Sequence, residues 1–138
     1  MKYYEEENKI GELNEIKFKP EIETVVGCNL ENTYKFNTFD FINKDKKILV
    51  ELKCRNCLKN NYSTTMIGMN KIERSKIKFE DEGYKIYYFF KFLDGLFYVE
   101  YNNELKYEIR TGFRYDRPHT IQNPPLYAYI NVDDLVIC

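Results

Sequence analysis

The chain has 138 residues, 43% hydrophobic and 31% charged, with a net charge of −1. That suits one domain with its own core, and it excludes both a disordered polyelectrolyte and a protein that grips nucleic acid by overall charge. No run of about 18 apolar residues offers a membrane span, and the acidic start MKYYEEENK is unlike a secretion signal.

Charge is unevenly spread. Residues 1–24 carry four lysines against seven glutamates, a net of −3, while residues 44–78 carry ten Lys and Arg against three acids, a net of +7. A basic middle suits a locally bound anionic partner, and a solvated Lys-rich helix face explains it equally well. Four cysteines are few for a disulfide scaffold, so reduced thiols in an intracellular protein are expected.

In chain order, residues 6–18 have helical character, with Ile10, Leu13 and Ile16 on one stripe and Glu12 and Glu15 beside it. Pro20 is placed to open a second short helix that Gly27 ends. Residues 33–42 and 47–54 alternate with period two around an NKDK turn and read as a β-hairpin. Residues 64–79 read as the next helix, against which Gly68 is a mild objection. Residues 84–92 and 96–101 flank Asp94-Gly95, a strong hairpin turn. Residues 107–115 add a strand, and the last, 126–132, is entered through Pro124-Pro125. The expected class is α+β: one domain built on a mixed sheet flanked by helices.

The first hairpin carries the most chemistry. A symmetric turn over Asn43–Lys46 would pair Ile42 with Lys47, Asp40 with Leu49 and Thr38 with Glu51. Phe39 and Phe41 would then share a core face with Ile48, Val50, Leu52 and Cys54. Asp40, Glu51 and Lys53 would share the other face, with the two carboxylates diagonal neighbours. A one-residue slip would expose the core face, so burial enforces the parity. Mg²⁺ takes oxygen ligands, commonly one or two carboxylates with substrate phosphate. Asp40, Glu51 and the Leu52 carbonyl can supply oxygens, and Lys53 can orient a water. The alternative is a solvated salt-bridge ladder contributing about 0–1 kcal/mol.

Asp at a strand end, a short hairpin and Glu51-Leu52-Lys53 on the next strand resemble the PD-(D/E)xK nuclease superfamily, with Phe39 where the motif's name has Pro. The resemblance spans roughly residues 6–79. It implies a restriction-endonuclease-like core and a phage or viral nuclease acting on DNA, less so on RNA, with Mg²⁺ or Mn²⁺. Asp40 and Glu51 would bind metal, and Lys53 would serve the water. Glu15, or Glu12, would be the acid of the preceding helix. Lys71 would be the basic residue of the following helix, with Asn70 nearby and with Arg55 and Arg74 as further nucleic-acid contacts. The small size suggests a homodimer or a component of a larger complex. The rival is a non-enzymatic binding module on a similar fold.

Other signals carry less. Cys54-Arg-Asn-Cys57 lacks ligands for a zinc site beyond Cys28, Cys138 and the single His119, which reads as a loop or strand-edge residue. Thirteen tyrosines can stack bases, but Tyr84, Tyr88, Tyr98 and Tyr127 alternate as half-buried packing residues would. Asp94 reads as a turn residue, and Arg110, Arg114 and Arg117 serve equally as phosphate contacts or as surface.

Overall fold

A computed structural model describes residues 2–33, 38–112 and 125–138, with side chains from residue 10 onward. His119, Arg114, Arg117 and Pro124 lie outside the described residues. The described residues form helices α1 (Lys2–Val26) and α2 (Met69–Glu82). The strands are β1 (Glu31–Asn32), β2 (Phe41–Asn43), β3 (Ile48–Cys54), β4 (Thr64–Gly68), β5 (Lys85–Phe92), β6 (Gly95–Tyr101), β7 (Glu108–Thr111), β8 (Leu126–Asn131) and β9 (Val136–Ile137).

The main sheet has the order β1-β2-β3-β5-β6-β9, and a second sheet has the order β4-β8-β7. β3 and β5 run parallel, joined by a crossover through β4 and α2, and the other main-sheet pairs are antiparallel, so the expected mixed sheet is present. The three-stranded sheet is an addition to the single sheet that the sequence suggests. The fold is α+β and consistent with a restriction-endonuclease-like core.

Both faces of the main sheet are covered. Phe41, Ile48, Val50, Leu52 and Phe89 pack against Phe18 and Ile22 of α1 on one side. Phe39, Leu49, Ile86, Tyr88 and Phe90 pack with Ile72 of α2 and with Ile67, Ala128 and Ile130 of the second sheet on the other. Phe39 therefore does not share a face with Phe41, as its alternation suggested, because the chain before β2 is bent rather than extended.

Three expectations for the helices are overturned. The helices expected on either side of Pro20 are one helix. Its missing N–H leaves the Ile16 carbonyl without a helical donor, but Ile16 is exposed, where water can serve. Gly27, at φ 76°, ends the helix with its N–H on the Glu23 carbonyl. The expected stripe of Ile10, Leu13 and Ile16 faces solvent, and among the described side chains of α1 it is Phe18 and Ile22, in its C-terminal half, that are buried against the sheet. Residues 64–68, read as helix, are strand β4. Gly68 is where strand becomes helix, and Thr64 and Thr65 were the β-favouring signal. No helix of the described residues is long and apolar enough to cross a membrane.

The turn Leu93-Asp94 joins β5 to β6 as expected, and the Asp94 carboxylate accepts the Lys59 N–H at 2.9 Å. Tyr88 is fully buried, and its hydroxyl donates to Ser75 Oγ, which donates onward to the Lys71 carbonyl at 2.7 Å. That relay pins α2 to β5. Tyr88→Phe is expected to cost about 1 kcal/mol and to lower the melting temperature by a few degrees, as a thermal melt would record.

Candidate active site

The hairpin that positions the site is shifted by one residue at its turn. Asn43 pairs with Ile48 and Ile42 with Leu49, so the loop is Lys44–Lys47. Asn43 Oδ1 accepts the Lys46 N–H at 2.9 Å, and Lys47 takes the left-handed conformation at φ 55°. The register therefore differs by two residues from the symmetric turn. Because strand side chains alternate with period two, the facing survives. The paired ladder ends at Phe41 opposite Val50; just before it, the Asp40 N–H donates to the Val50 carbonyl at 2.9 Å, which keeps Asp40 next to the β3 segment that carries Glu51.

The second consequence is burial. β3 is an interior strand between β2 and β5, and Glu51 is only 2% exposed. A solvated ladder would leave it in water, so that alternative fails at Glu51. Its Oε1 is 3.1 Å from Lys53 Nζ and its Oε2 is 3.3 Å from Lys71 Nζ. The Lys71 ammonium is aimed at the Thr38 carbonyl, to which it donates, so Glu51 Oε2 is paired in charge yet accepts no hydrogen bond. Burial, then the Asp40 charge, pushes the Glu51 carboxyl up, while Lys53 and Lys71 pull it back.

Asp40 is anchored through Oδ2, which accepts the Leu52 N–H at 2.7 Å. Glu15 reaches in from α1. Burial and the neighbouring Asp40 carboxylate raise its pKa to about 7, against a hydrogen bond from Asn32 at 3.2 Å that lowers it. Glu12, one helical turn earlier, is exposed. An open cleft of about 350 Å³ is lined by Glu15, Asp40, Glu51, Leu52, Lys53 and Cys54, with Ile10, Gly11 and Asn14 of α1 as its far wall. Cys54, expected on the core face, is exposed at the end of β3.

Of the residues singled out from sequence, Glu15, Asp40, Glu51, Lys53, Lys71 and the Leu52 backbone thus meet at one place. Arg55 does not join them. Its Nε donates to Thr65 Oγ1 at 3.4 Å and its guanidinium to the Met66 carbonyl, so it braces β4 one step along β3. Arg74 and Asn70 are exposed on α2. Sequence reading missed Asn32, Ser75 and the Thr38 carbonyl. Only Ser75 left a trace there, as a small polar residue between Ile72 and Phe79 on the buried stripe of α2.

The raised carboxyls give a pH dependence. A folded pKa above the unfolded value means that the folded state holds the extra proton, so stability is full below about pH 4.5 and declines toward about pH 7 as Glu15 ionises. Glu51 acts in the same direction. In metal-free protein, Glu15→Gln is expected to flatten part of the fall in melting temperature between pH 5 and pH 7.5, an effect reduced by solvent because Glu15 is partly exposed.

A family model described as phage putative PDDEXK endonuclease matches residues 2–135, nearly the whole chain. Searches of curated proteins and of solved structures found no match. The motif, the fold and a family match that runs from α1 past β8 agree, and the chain belongs to this phage PD-(D/E)xK endonuclease family.

Proposed function

We propose that residues 1–138 form one nuclease domain that hydrolyses DNA phosphodiester bonds with Mg²⁺ or Mn²⁺. The observation that carries this reading is Glu51: a carboxylate buried beside two others, at the floor of an open cleft, with one oxygen accepting no hydrogen bond. A structural ion pair has no use for that arrangement. A site that must receive a cation does.

The donor set fits a hard divalent ion. Among the described residues no three His, Cys, Asp or Glu side chains form a ready metal cage, and Mg²⁺ needs none, since it commonly takes one or two carboxylates with phosphate and water. Asp40 and Glu51 would hold it, with the Leu52 carbonyl as a further oxygen. When bound, the metal supplies Lewis-acid polarisation of the phosphoryl oxygen and a lower pKa for a bound water.

The chain's own groups do the rest. Lys53, partly exposed at the cleft, donates to the attacking water and offsets charge on the phosphate as it becomes crowded. Lys71 holds Glu51 in place and adds positive charge from α2. Asp40, fixed by the Leu52 N–H, lines the cleft beside Glu15, with which it shares a hydrogen bond. Glu15 closes the α1 side.

The test is incubation of purified protein with plasmid DNA and Mn²⁺. Nicking or linearisation is expected from the wild type, and none from Asp40→Asn. In parallel, Mg²⁺ or Mn²⁺ should raise the melting temperature of wild type but not of Asp40→Asn. Uncut DNA and no metal-induced shift would favour the binding-module reading.

A further inference from the structure

Further hollows adjoin the cleft in series. Lys53 is shared with a second, of about 170 Å³, also lined by Arg55, Gly68 and Tyr127. Arg55 and Met66 are shared in turn with a third, of about 400 Å³, bounded by Lys59, Tyr62, Phe92 and Tyr129. Among the described residues no acidic side chain lines the second or third hollow, where Lys53, Arg55 and Lys59 supply positive charge; Glu108, opposite Tyr129 on β7 and paired with Arg110, bounds this path.

The second sheet builds this path. On β8, Ala128 and Ile130 are fully buried against the core, so Tyr127 and Tyr129 face outward. Their partners on β4 are Gly68 and Met66, on the same outward side. Gly68 puts no side chain of its own beside Tyr127, and the Asn70 amide lies against the position a Cβ would take. From β7, the Arg110 guanidinium stacks on Tyr129 at 4.9 Å from the ring centre. Tyr62, 65% exposed, stands at the rim of the third hollow.

We propose that this face is the track for an unpaired nucleic-acid strand leaving the cleft, with the third hollow receiving one nucleobase against Tyr62 and Tyr129. This rests on the nuclease reading for the polymer it names. Aromatic faces on an open sheet stack bases with little regard to sequence, while flanking cations follow the phosphates. A concave, largely apolar hollow can take a base only once it has left its stack, which a paired duplex does not offer. The substrate class is therefore single-stranded DNA, or duplex DNA with unpaired nucleotides beside the scissile bond.

The experiment is fluorescence anisotropy in EDTA, where no cutting occurs, with a labelled 12-nucleotide oligo(dT) and a labelled 12-base-pair duplex. Wild type is expected to prefer the single strand. Tyr62→Ala should weaken single-strand binding about ten-fold, leave duplex binding within about two-fold, and melt like wild type because Tyr62 is exposed. Tyr62→Phe should restore binding. Unchanged single-strand binding in Tyr62→Ala, or an equal loss on both DNAs, would overturn the base pocket even if Mn²⁺-dependent cleavage is present. Tyr62-dependent binding without any cleavage would uphold the pocket and remove the nuclease reading instead.

Discussion

Lys53→Ala is expected to lower Mn²⁺-dependent cleavage by about 10²–10³-fold while changing the melting temperature by no more than a degree or two. The two halves of that expectation have separate causes. Lys53 is 35% exposed at the cleft, 3.1 Å from Glu51, so its loss opens no cavity in the core. Glu51 keeps the Lys71 ammonium at 3.3 Å, and the buried carboxyl can take up a proton more readily once Lys53 is gone, which avoids an isolated buried charge. What disappears, on the proposed mechanism, is the cation that would face the water and the phosphate. Lys53→Arg, which keeps the charge but not the compact ammonium, should retain part of the activity. Lys71→Ala is the instructive contrast. Lys71 is 18% exposed and also ties α2 to the Thr38 carbonyl, so its loss should destabilise as well as inactivate. Lys76→Ala, exposed on α2, serves as the control and should do neither. Wild-type cleavage by Lys53→Ala would remove Lys53 from the mechanism.

What could be read from the chain beforehand, and what could not, divides along a physical line. Parity could be read. The turn moved by one residue and the pairing by two, which returns the paired side chains of β2 and β3 to their faces, while Asp40, in the bend before β2, is set by its bonds to Val50 and Leu52. Burial could not. Alternating Leu49, Glu51 and Lys53 look like a half-solvated strand, and only the parallel neighbour β5, brought in from more than 30 residues away, makes β3 an interior strand covered on both faces. The same limit explains α1. Ile10, Leu13 and Ile16 form a fair apolar stripe, but which stripe is covered depends on where the helix meets the sheet, and Phe18 and Ile22 make that contact. At Gly68 the local signal existed and was outweighed: a glycine inside a run of helix-compatible residues marked the junction of β4 and α2. Glu15 over Glu12 was open for a simpler reason. They sit one turn apart on a helix, and only its placement over Asp40 and Asn32 separates them.

Glu51→Gln should abolish cleavage and at the same time make the metal-free protein more stable at pH 8, by on the order of 1 kcal/mol. The direction in which Glu51 is pushed decides the outcome. With two ammoniums within 3.3 Å, a carboxylate would ordinarily be favoured in its charged form. Here burial and the Asp40 charge outweigh them, so the ionised side chain is worse placed in the fold than in water. A group whose folded pKa lies above its unfolded value contributes stability at low pH and loses it as pH rises through the folded pKa. At pH 8 the wild type bears that cost. Glutamine keeps the shape and a carbonyl acceptor for Lys53 without the charge, and Lys53 can turn to solvent. A thermal melt in EDTA at pH 8 should therefore rank Glu51→Gln above wild type, and added Mg²⁺ should reverse the order by stabilising only the wild type. The gap should narrow as pH falls and the wild-type carboxyl takes up its proton. A lower melting temperature for Glu51→Gln under all these conditions would mean that the Lys53–Glu51–Lys71 cluster is a structural clamp, and the strain that makes it a cation site would be absent.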